Sequence, residues 1–455
     1  MKTMDVDAVV IGAGTAGANA FHVLKSAGVN VLQVDRGPLG TTCARVGCMP
    51  SKAALHAAAR WSTARGLVAD PADLTVSPSV LWQQARAIRD ELASSAADNT
   101  RRAAGDRLIM EQARFVAPDT LQAGDTRIRA RAFVVCTGSS PVIPEALRPL
   151  QHRLLTTDTL FELDTLPSRI GVLGMGAIGL EMGVALARLG LEVIGADQQD
   201  GVGGAKDPEV QRRAQTHFGS LMQLWLGAPV EADPDGDAVR LRQAGRQAIV
   251  DRLLVATGRK PNVEDLDLPA AGLDLDDKAQ PRIDASRLTA GQPGIFFAGD
   301  VYPDRPLLHE AVDEGVAAGK AALAHVRGRA PAELKRHPVL SIVFTDPDVC
   351  AVGMPYDEAE KQNALVGQGP GDENGRARIM GATDSLLRVY AQPRTGKLLG
   401  ASMVVTRGEH LAHLLAWAIQ AGQTAEQLLD MPFYHPTIEE MLQYALKDIR
   451  KQLEA

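Results

Sequence analysis

Two stretches of the chain carry the same order of apolar and polar positions. Residues 7–35 read DAVVIGAGTAGANAFHVLKSAGVNVLQVD, and residues 169–197 read RIGVLGMGAIGLEMGVALARLGLEVIGAD. Each predicts a buried strand, a GxGxxG turn, an Ala/Leu-rich helix and a second buried strand ending in Asp. The glycines are Gly12, Gly14 and Gly17 in the first unit, and Gly174, Gly176 and Gly179 in the second. The acids are Asp35 and Asp197, 23 residues beyond the first glycine in both cases. Further apolar runs, VVCTGSSP (134–141) and LLVATGRKPN (253–262), predict strands that each end in Thr-Gly. GIFFAGDV (294–301) predicts another, ending at Gly299-Asp300. Asp300 either closes a simple turn or reaches a bound ribose or ribityl chain. After about residue 336 the texture changes. LSIVFTDPDVCAVG and LLRVYAQPRTGKLLGASMVV read as strands, the latter a hairpin turning at Pro393–Lys397, and helices follow from Glu409. Strands followed by helices predict an α+β domain.

The doubled glycine pattern has one physical reading. The first glycine permits the tight turn, the second lets the backbone approach a pyrophosphate, and the third lets helix and strand pack closely. The pyrophosphate rests on the helix N-terminus, and the terminal carboxylate accepts from ribose hydroxyls. Two such units in one register predict two bound dinucleotides and an α/β fold.

Length and charge narrow the remaining classes. A chain of 455 residues is too long for one ordinary core and predicts two to four domains. Its 48 basic and 55 acidic residues leave a net charge of −7, which argues against nucleic acid or a membrane surface as partner. No apolar run reaches the roughly 18 residues of a membrane span. Met1–Asp7 carries two acids and runs straight into a strand, unlike a secretory signal. Four cysteines in this length do not make a disulfide scaffold, so a reducing cytoplasm is the expected setting.

Against that background GTTCARVGCMPSK (40–52) stands out, because it holds two of the four cysteines, Cys43 and Cys48. On a regular helix their Cα atoms would lie roughly 8 to 9 Å apart, beyond the 4.4–6.8 Å of a disulfide. The pair is therefore unbonded, or the helix start is distorted around Gly47; we take the second reading. It places Cys48 in the first turn and Cys43 in an unwound lead-in. A cysteine at a helix N-terminus has a favoured thiolate. A zinc site lacks its other ligands here, so no metal is expected. Two inert thiols remain an alternative, but the pair directly follows Asp35, which places it near the first dinucleotide.

With these motifs in order over essentially the whole length, together with TGRKPN, FFAGDV, PLLHEAVDEG and HPTIEE, the chain resembles the class I flavin-dependent pyridine-nucleotide disulfide oxidoreductases. Within them it is most similar to dihydrolipoamide dehydrogenases. The resemblance implies an FAD-binding domain over 1–150 with a return segment at 271–336, an NAD-binding domain over 151–270, and a dimerisation domain over 337–455. FAD would be held by Gly12, Gly14, Gly17, Asp35, Thr42, Lys52, Gly138, Asp300, Leu307, Leu308 and His309. NAD would be held by Gly174, Gly176, Gly179, Glu181, Asp197 and Gly258. Cys43 and Cys48 would form the redox disulfide, with Cys43 exchanging with substrate and Cys48 against the flavin. Lys52 would pair with Glu181 near the flavin N5. In a homodimer, His435 of the partner subunit, oriented by Glu440, would serve as general base. The substrate would be a lipoyl-bearing carrier. Asp197, followed by Gln198, Gln199 and Asp200, would repel a 2′-phosphate, so NAD is expected over NADP.

Two positions depart from the family pattern. Arg45 stands where Asn is common, and Phe433-Tyr434 precede His435 where a small residue and a second histidine are common. Arg45 is open to three readings: it recognises an acidic carrier, it raises thiolate character, or it points to solvent. The rival reading is an NADH-dependent reductase of another disulfide. A mercuric reductase would need the terminal cysteine pair that KDIRKQLEA lacks. A soluble transhydrogenase would lack Cys43 and Cys48. A flavoprotein kept only as an interaction subunit would not need them.

Overall fold

The computed structural model describes residues 1–70, 73–291 and 294–455. They form two compact units. The first comprises Met1–Pro50, Arg86–Val142 and Gly258–Arg336; the second comprises Ser51–Ala85, Ile143–Thr257 and His337–Ala455.

The first unit is built on strand β1 (Lys2–Ile11), helix α1 (Thr15–Ser26) and strand β2 (Val31–Val34). β1 pairs in parallel with β2 on one side and with Thr126–Val135 on the other. Ile295–Phe297 continues the parallel set beyond Thr126–Val135. The buried apolar ends of these strands, Ala8–Ile11 and Ala132–Val135, fit a parallel sheet covered on both faces. Alternate residues feed two cores: Val9, Ile11, Phe133 and Phe297 into one, and Ala8, Val10, Val134 and Phe296 into the other. The second core lies under α1 and the helix Leu308–Val326. Gly315 permits that close packing, because a Cβ there would sit 2.4 Å from the carbonyl oxygen of Ala16. The two Thr-Gly segments also meet here, as Ser139–Pro141 pairs antiparallel with Arg259–Pro261.

The second unit holds the second nucleotide-type sheet. Its strand order is Gln223–Trp225, Glu192–Ala196, Arg169–Leu173, Arg252–Val255 and Leu154–Leu155, all parallel. A three-stranded antiparallel meander over Glu231–Asp235, Ala238–Gln243 and Arg246–Val250 accompanies it. The same unit contains a five-stranded antiparallel sheet, with strands Leu340–Val343, Asp348–Gly353, Leu398–Val405, Leu386–Ala391 and Leu365–Pro370 side by side. Helices Gly408–Gln420 and Glu440–Glu454 pack their buried Leu411, Leu415, Leu442 and Leu446 into its core. Two nucleotide-type sheets, the first carrying antiparallel strands beyond its parallel centre, plus a C-terminal α+β body are the expected α/β architecture.

One polar network ties these parts of the second unit together. Asp207 caps the helix Pro208–Gly219 through the amides of Glu209 and Val210, at 3.0 and 3.3 Å. Its carboxylate also accepts from Arg388 (2.7 Å) and the Tyr390 hydroxyl (2.7 Å), both on the C-terminal sheet. Asp207 is wholly buried. Burial is also the main reason the Tyr390 phenol is pushed up from its ordinary value.

Candidate active site

The glycines of the first turn meet the three demands that the sequence implies. Gly12 has φ +106°, and a Cβ there would lie 2.2 Å from the carbonyl oxygen of Cys136. A Cβ on Gly17 would lie 2.1 Å from the carbonyl oxygen of Gly12. Gly14 is different: its missing Cβ faces open space, with no atom within 4 Å. Gly14 is the N-cap of α1 and no side chain caps that end, so the first-turn amides remain for a ligand. The second unit repeats the arrangement. Gly176 caps the helix Ala177–Arg188 and faces open space, while a Cβ on Gly179 would strike the Gly174 carbonyl at 1.8 Å.

The two strand-end acids have a further role that the sequence did not suggest. Asp35 accepts from the amides of Ala13 and Gly37, both at 2.6 Å. Asp197 accepts from the amides of Met175 (2.7 Å) and Gln199 (2.9 Å). Each carboxylate thus fastens its glycine loop to the turn after the second strand, and keeps lone pairs for a ribose.

A second group gathers where Thr126–Val135 and Ile295–Phe297 end. Ser139 donates to Asp300 at 3.0 Å and accepts from Arg259 at 2.8 Å. Asn262 donates to the Thr137 carbonyl at 3.0 Å. The Thr137 hydroxyl is buried without a partner, which is the mark of a position awaiting a polar ligand. Gly138 and Gly258, with φ +69° and +125°, both face open space. Behind Asp300, the Gly299 amide donates to Glu314, which Arg336 holds at 2.8 Å. Burial raises Glu314 above the usual carboxylate range despite these donors. Leu307 precedes the helix that begins at Leu308, and His309 is exposed in its first turn. Ser139, Thr137, Arg259 and Asn262 were not singled out from the sequence. The likeness of TGSSP to TGRKP was the available signal, since these two segments pair.

The cysteines sit on two helices. Helix α2 (Thr42–Arg45) carries Cys43, and helix α3 (Cys48–Gly66) begins at Cys48. The break falls at Val46-Gly47, as the spacing requires. The lead-in, however, is one helical turn and not unwound chain. Thr41 caps it, accepting from Ala44 at 3.1 Å, and Thr42 opens it, exposed. Gly47 allows the kink, as a Cβ there would sit 3.0 Å from the Thr42 carbonyl. The pair stands as two thiols in mutual hydrogen-bond contact. That bond, followed by burial and the charge of Cys48, pushes the Cys43 thiol up. Cys43 is therefore the member of the pair that holds its proton more tightly than an ordinary thiol.

Lys52 donates to both oxygens of Glu181, at 2.8 and 2.9 Å, as expected for that pair. The Phe344 amide adds a third bond to Glu181 at 2.9 Å, and the Phe344 ring lies 4.5 Å from the Lys52 ammonium. Phe344 was not anticipated. It holds the lysine with a cation–π contact while its backbone holds the glutamate.

His435 and Glu440 also meet. The imidazole Nδ1 lies 3.0 and 3.2 Å from the two Glu440 oxygens. Burial pushes the Glu440 carboxyl up, but the Thr437 amide and His435 outweigh it, and the net shift is downward. An ionised carboxylate only accepts, so Nδ1 carries the hydrogen and Nε2 is left to take a proton. His435 is exposed in the single chain.

Comparison with known proteins decides the family. Residues 6–315 match the pyridine nucleotide-disulphide oxidoreductase family, and residues 339–446 match its dimerisation domain. The chain belongs to the pyridine nucleotide-disulphide oxidoreductases. It is 31% identical to a dihydrolipoyl dehydrogenase of Thermus scotoductus, over 99% of this chain and 98% of that one. It is 29% identical to a mercuric reductase of Bacillus cereus, over 98% of this chain and 72% of that one. The fold matches the flavoprotein disulfide reductase RclA of Escherichia coli with a TM-score of 0.84 at 23% identity, covering 97% of this chain and 99% of that one. As a class I member of the family, the chain uses FAD and NAD, and its dimerisation domain supports a homodimer. The open cradles at Gly14 and Gly176 and the unpartnered Thr137 hydroxyl fit such ligands. Among the described residues no helix is long and apolar enough to cross a membrane.

Proposed function

We propose that this flavoprotein oxidises the dihydrolipoyl group of a carrier protein, using NAD, through a Cys43–Cys48 disulfide in a homodimer in the cytoplasm. The observation that carries the reading is the thiol pair, held in contact across the break at Gly47. FAD would be held by Gly12, Gly14, Gly17, Asp35, Gly138 and Asp300, with Thr42, Lys52, Leu307 and His309. NAD would be held by Gly174, Gly176, Gly179, Glu181, Asp197 and Gly258. When bound, the flavin and nicotinamide supply two-electron transfer, ending as hydride on NAD.

The residues of the chain perform the thiol chemistry. A substrate thiol loses its proton to Nε2 of the partner subunit's His435 and attacks the Cys43 sulfur. A mixed disulfide forms and Cys48 leaves as thiolate. The second substrate thiol then attacks the substrate sulfur of that mixed disulfide. Cyclic lipoyl disulfide departs, and the electron pair stays on the cysteines. Cys43, which holds its proton more tightly than an ordinary thiol, would be the exchanging thiol, and Cys48 would carry the charge. Glu440 keeps the imidazole tautomer that has Nε2 open.

A second reading, an NADH-dependent reductase of another disulfide, is favoured by Arg45 and by the exposed Tyr434 beside His435. The deciding assay is anaerobic NAD reduction by dihydrolipoamide with FAD-loaded protein. Rapid turnover, abolished by Cys48→Ser, supports the first reading. A yellow, NADH-reducible protein without that turnover overturns it in favour of the second.

A further inference from the structure

Asp300 is fixed from two sides, and one of them ends in a charge with no other evident task. Arg259 spends two donors on one residue: Nε reaches the Ser139 hydroxyl at 2.8 Å and a terminal nitrogen reaches the Ser139 carbonyl at 2.7 Å. The hydroxyl, having accepted from Arg259, turns its own hydrogen to Asp300 Oδ2 at 3.0 Å. The direction of this chain is forced, because a guanidinium cannot accept and a serine hydroxyl has one hydrogen. Among the described residues, Oδ1 of Asp300 has no donor, so it remains to accept from a ligand. Ser139 is buried, while Arg259 and Asp300 are half-buried, so the relay is partly shielded from water.

We propose that Arg259 is a positioning residue for the flavin, acting through the Ser139 hydroxyl to aim the Asp300 carboxylate at the ribityl hydroxyls of FAD. The inference rests on the reading that Asp300 lies in the flavin site. The guanidinium polarises the serine hydroxyl, which strengthens its bond to Asp300 and holds one carboxylate rotamer. Without the relay, Asp300 keeps its backbone anchor, since the Gly299 amide still donates to Glu314 at 2.8 Å. The side chain alone is then free to turn.

The test is release of FAD from the full-length holoprotein, followed by flavin fluorescence, in Ser139→Ala, Arg259→Ala and the double variant. Ser139→Ala is the discriminating change. It removes the hydroxyl but keeps the bond from Arg259 to the Ser139 carbonyl and the pairing of 139–141 with 259–261. A purely structural role for Arg259 therefore predicts no effect of Ser139→Ala. The relay predicts FAD affinity about tenfold weaker, which is about 1.4 kcal/mol. It also predicts a similar loss for Arg259→Ala, and a double variant within about twofold of either single one. Native retention of FAD by Ser139→Ala, or losses that multiply in the double variant, overturn the relay. A native chain that takes up no FAD overturns the flavin reading together with it.

Discussion

Asp207 offers the sharpest test of the energetics. Its four partners, two amides, a guanidinium and a phenol, can all donate, and a carboxylate is the side chain that accepts from all of them. Asp207→Ala strands Arg388, which is 10% exposed and whose Nε already lacks a partner. Removing one member of a buried ion pair costs about 3–5 kcal/mol. Losing the helix cap adds about 1 kcal/mol. Against a total stability of about 5–15 kcal/mol, this is a large fraction. At about 2 °C per kcal/mol for a body of this size, the first unfolding transition should fall by about 8–12 °C. Asp207→Asn should recover little, because its amide nitrogen would face donors. Tyr390→Phe, which leaves the ion pair intact, should lose only about 2 °C. The assay is scanning calorimetry of the holoprotein. A loss below about 3 °C in Asp207→Ala would refute the view that this network carries the second unit.

The other predictions concern the acids and the cofactor turns. Burial and the Glu409 side chain push Asp348 up to about 9, while its hydrogen bond to Glu409 pulls Glu409 down. The folded pair thus keeps one proton that the unfolded chain has lost above about pH 5. This contribution weakens as pH rises, by about 1.4 kcal/mol per unit, until about pH 9. Thermal scans across that range should be flatter for Asp348→Asn than for the native chain. Glu440→Gln should lower kcat with dihydrolipoamide about tenfold to a hundredfold with KM little changed, the pattern of an interaction made in the transition state. Gly179→Ala, with its Cβ 1.8 Å from the Gly174 carbonyl, should weaken NADH binding at least tenfold in titrations while FAD content stays native. Equal loss of both cofactors would contradict the assignment of the second turn.

What the sequence made legible was local in origin. The glycine turns could be read because each glycine answers a separate steric demand within a few residues. The kink between Cys43 and Cys48 could be read because a regular helix cannot bring residues five apart together. The one-turn helix that carries Cys43 was missed, since its cap is made by Thr41 at φ +58°, a strain no pattern announces. The partners of buried charge were equally illegible. Arg388 and Asp207 lie 181 residues apart, and Arg259 and Ser139 lie 120 apart. Long-range pairs of this kind leave no periodicity. Glu314, in the second turn of the helix Leu308–Val326, meets Arg336, 22 residues on, only because the chain after that helix turns back toward it. The sequence pattern marks the acids at 35 and 197 as ribose ligands; their additional bonds to the loop amides depend on how the turn after β2, and its counterpart after Glu192–Ala196, closes.

Those carboxylate clasps bear on how much ordering a bound cofactor would have to impose. A glycine turn free in solution samples many shapes, and a nucleotide that had to freeze it would lose binding energy to that ordering. Here Asp35 and Asp197 hold each loop against its neighbouring turn through bonds made within the chain itself. Such internal bonds reduce the ordering that a bound nucleotide would have to supply. The acid proposed to discriminate a ribose hydroxyl from a phosphate is thus also the clasp of its loop, so a substitution at 197 made to change nucleotide preference should loosen the turn at 174–176 as well.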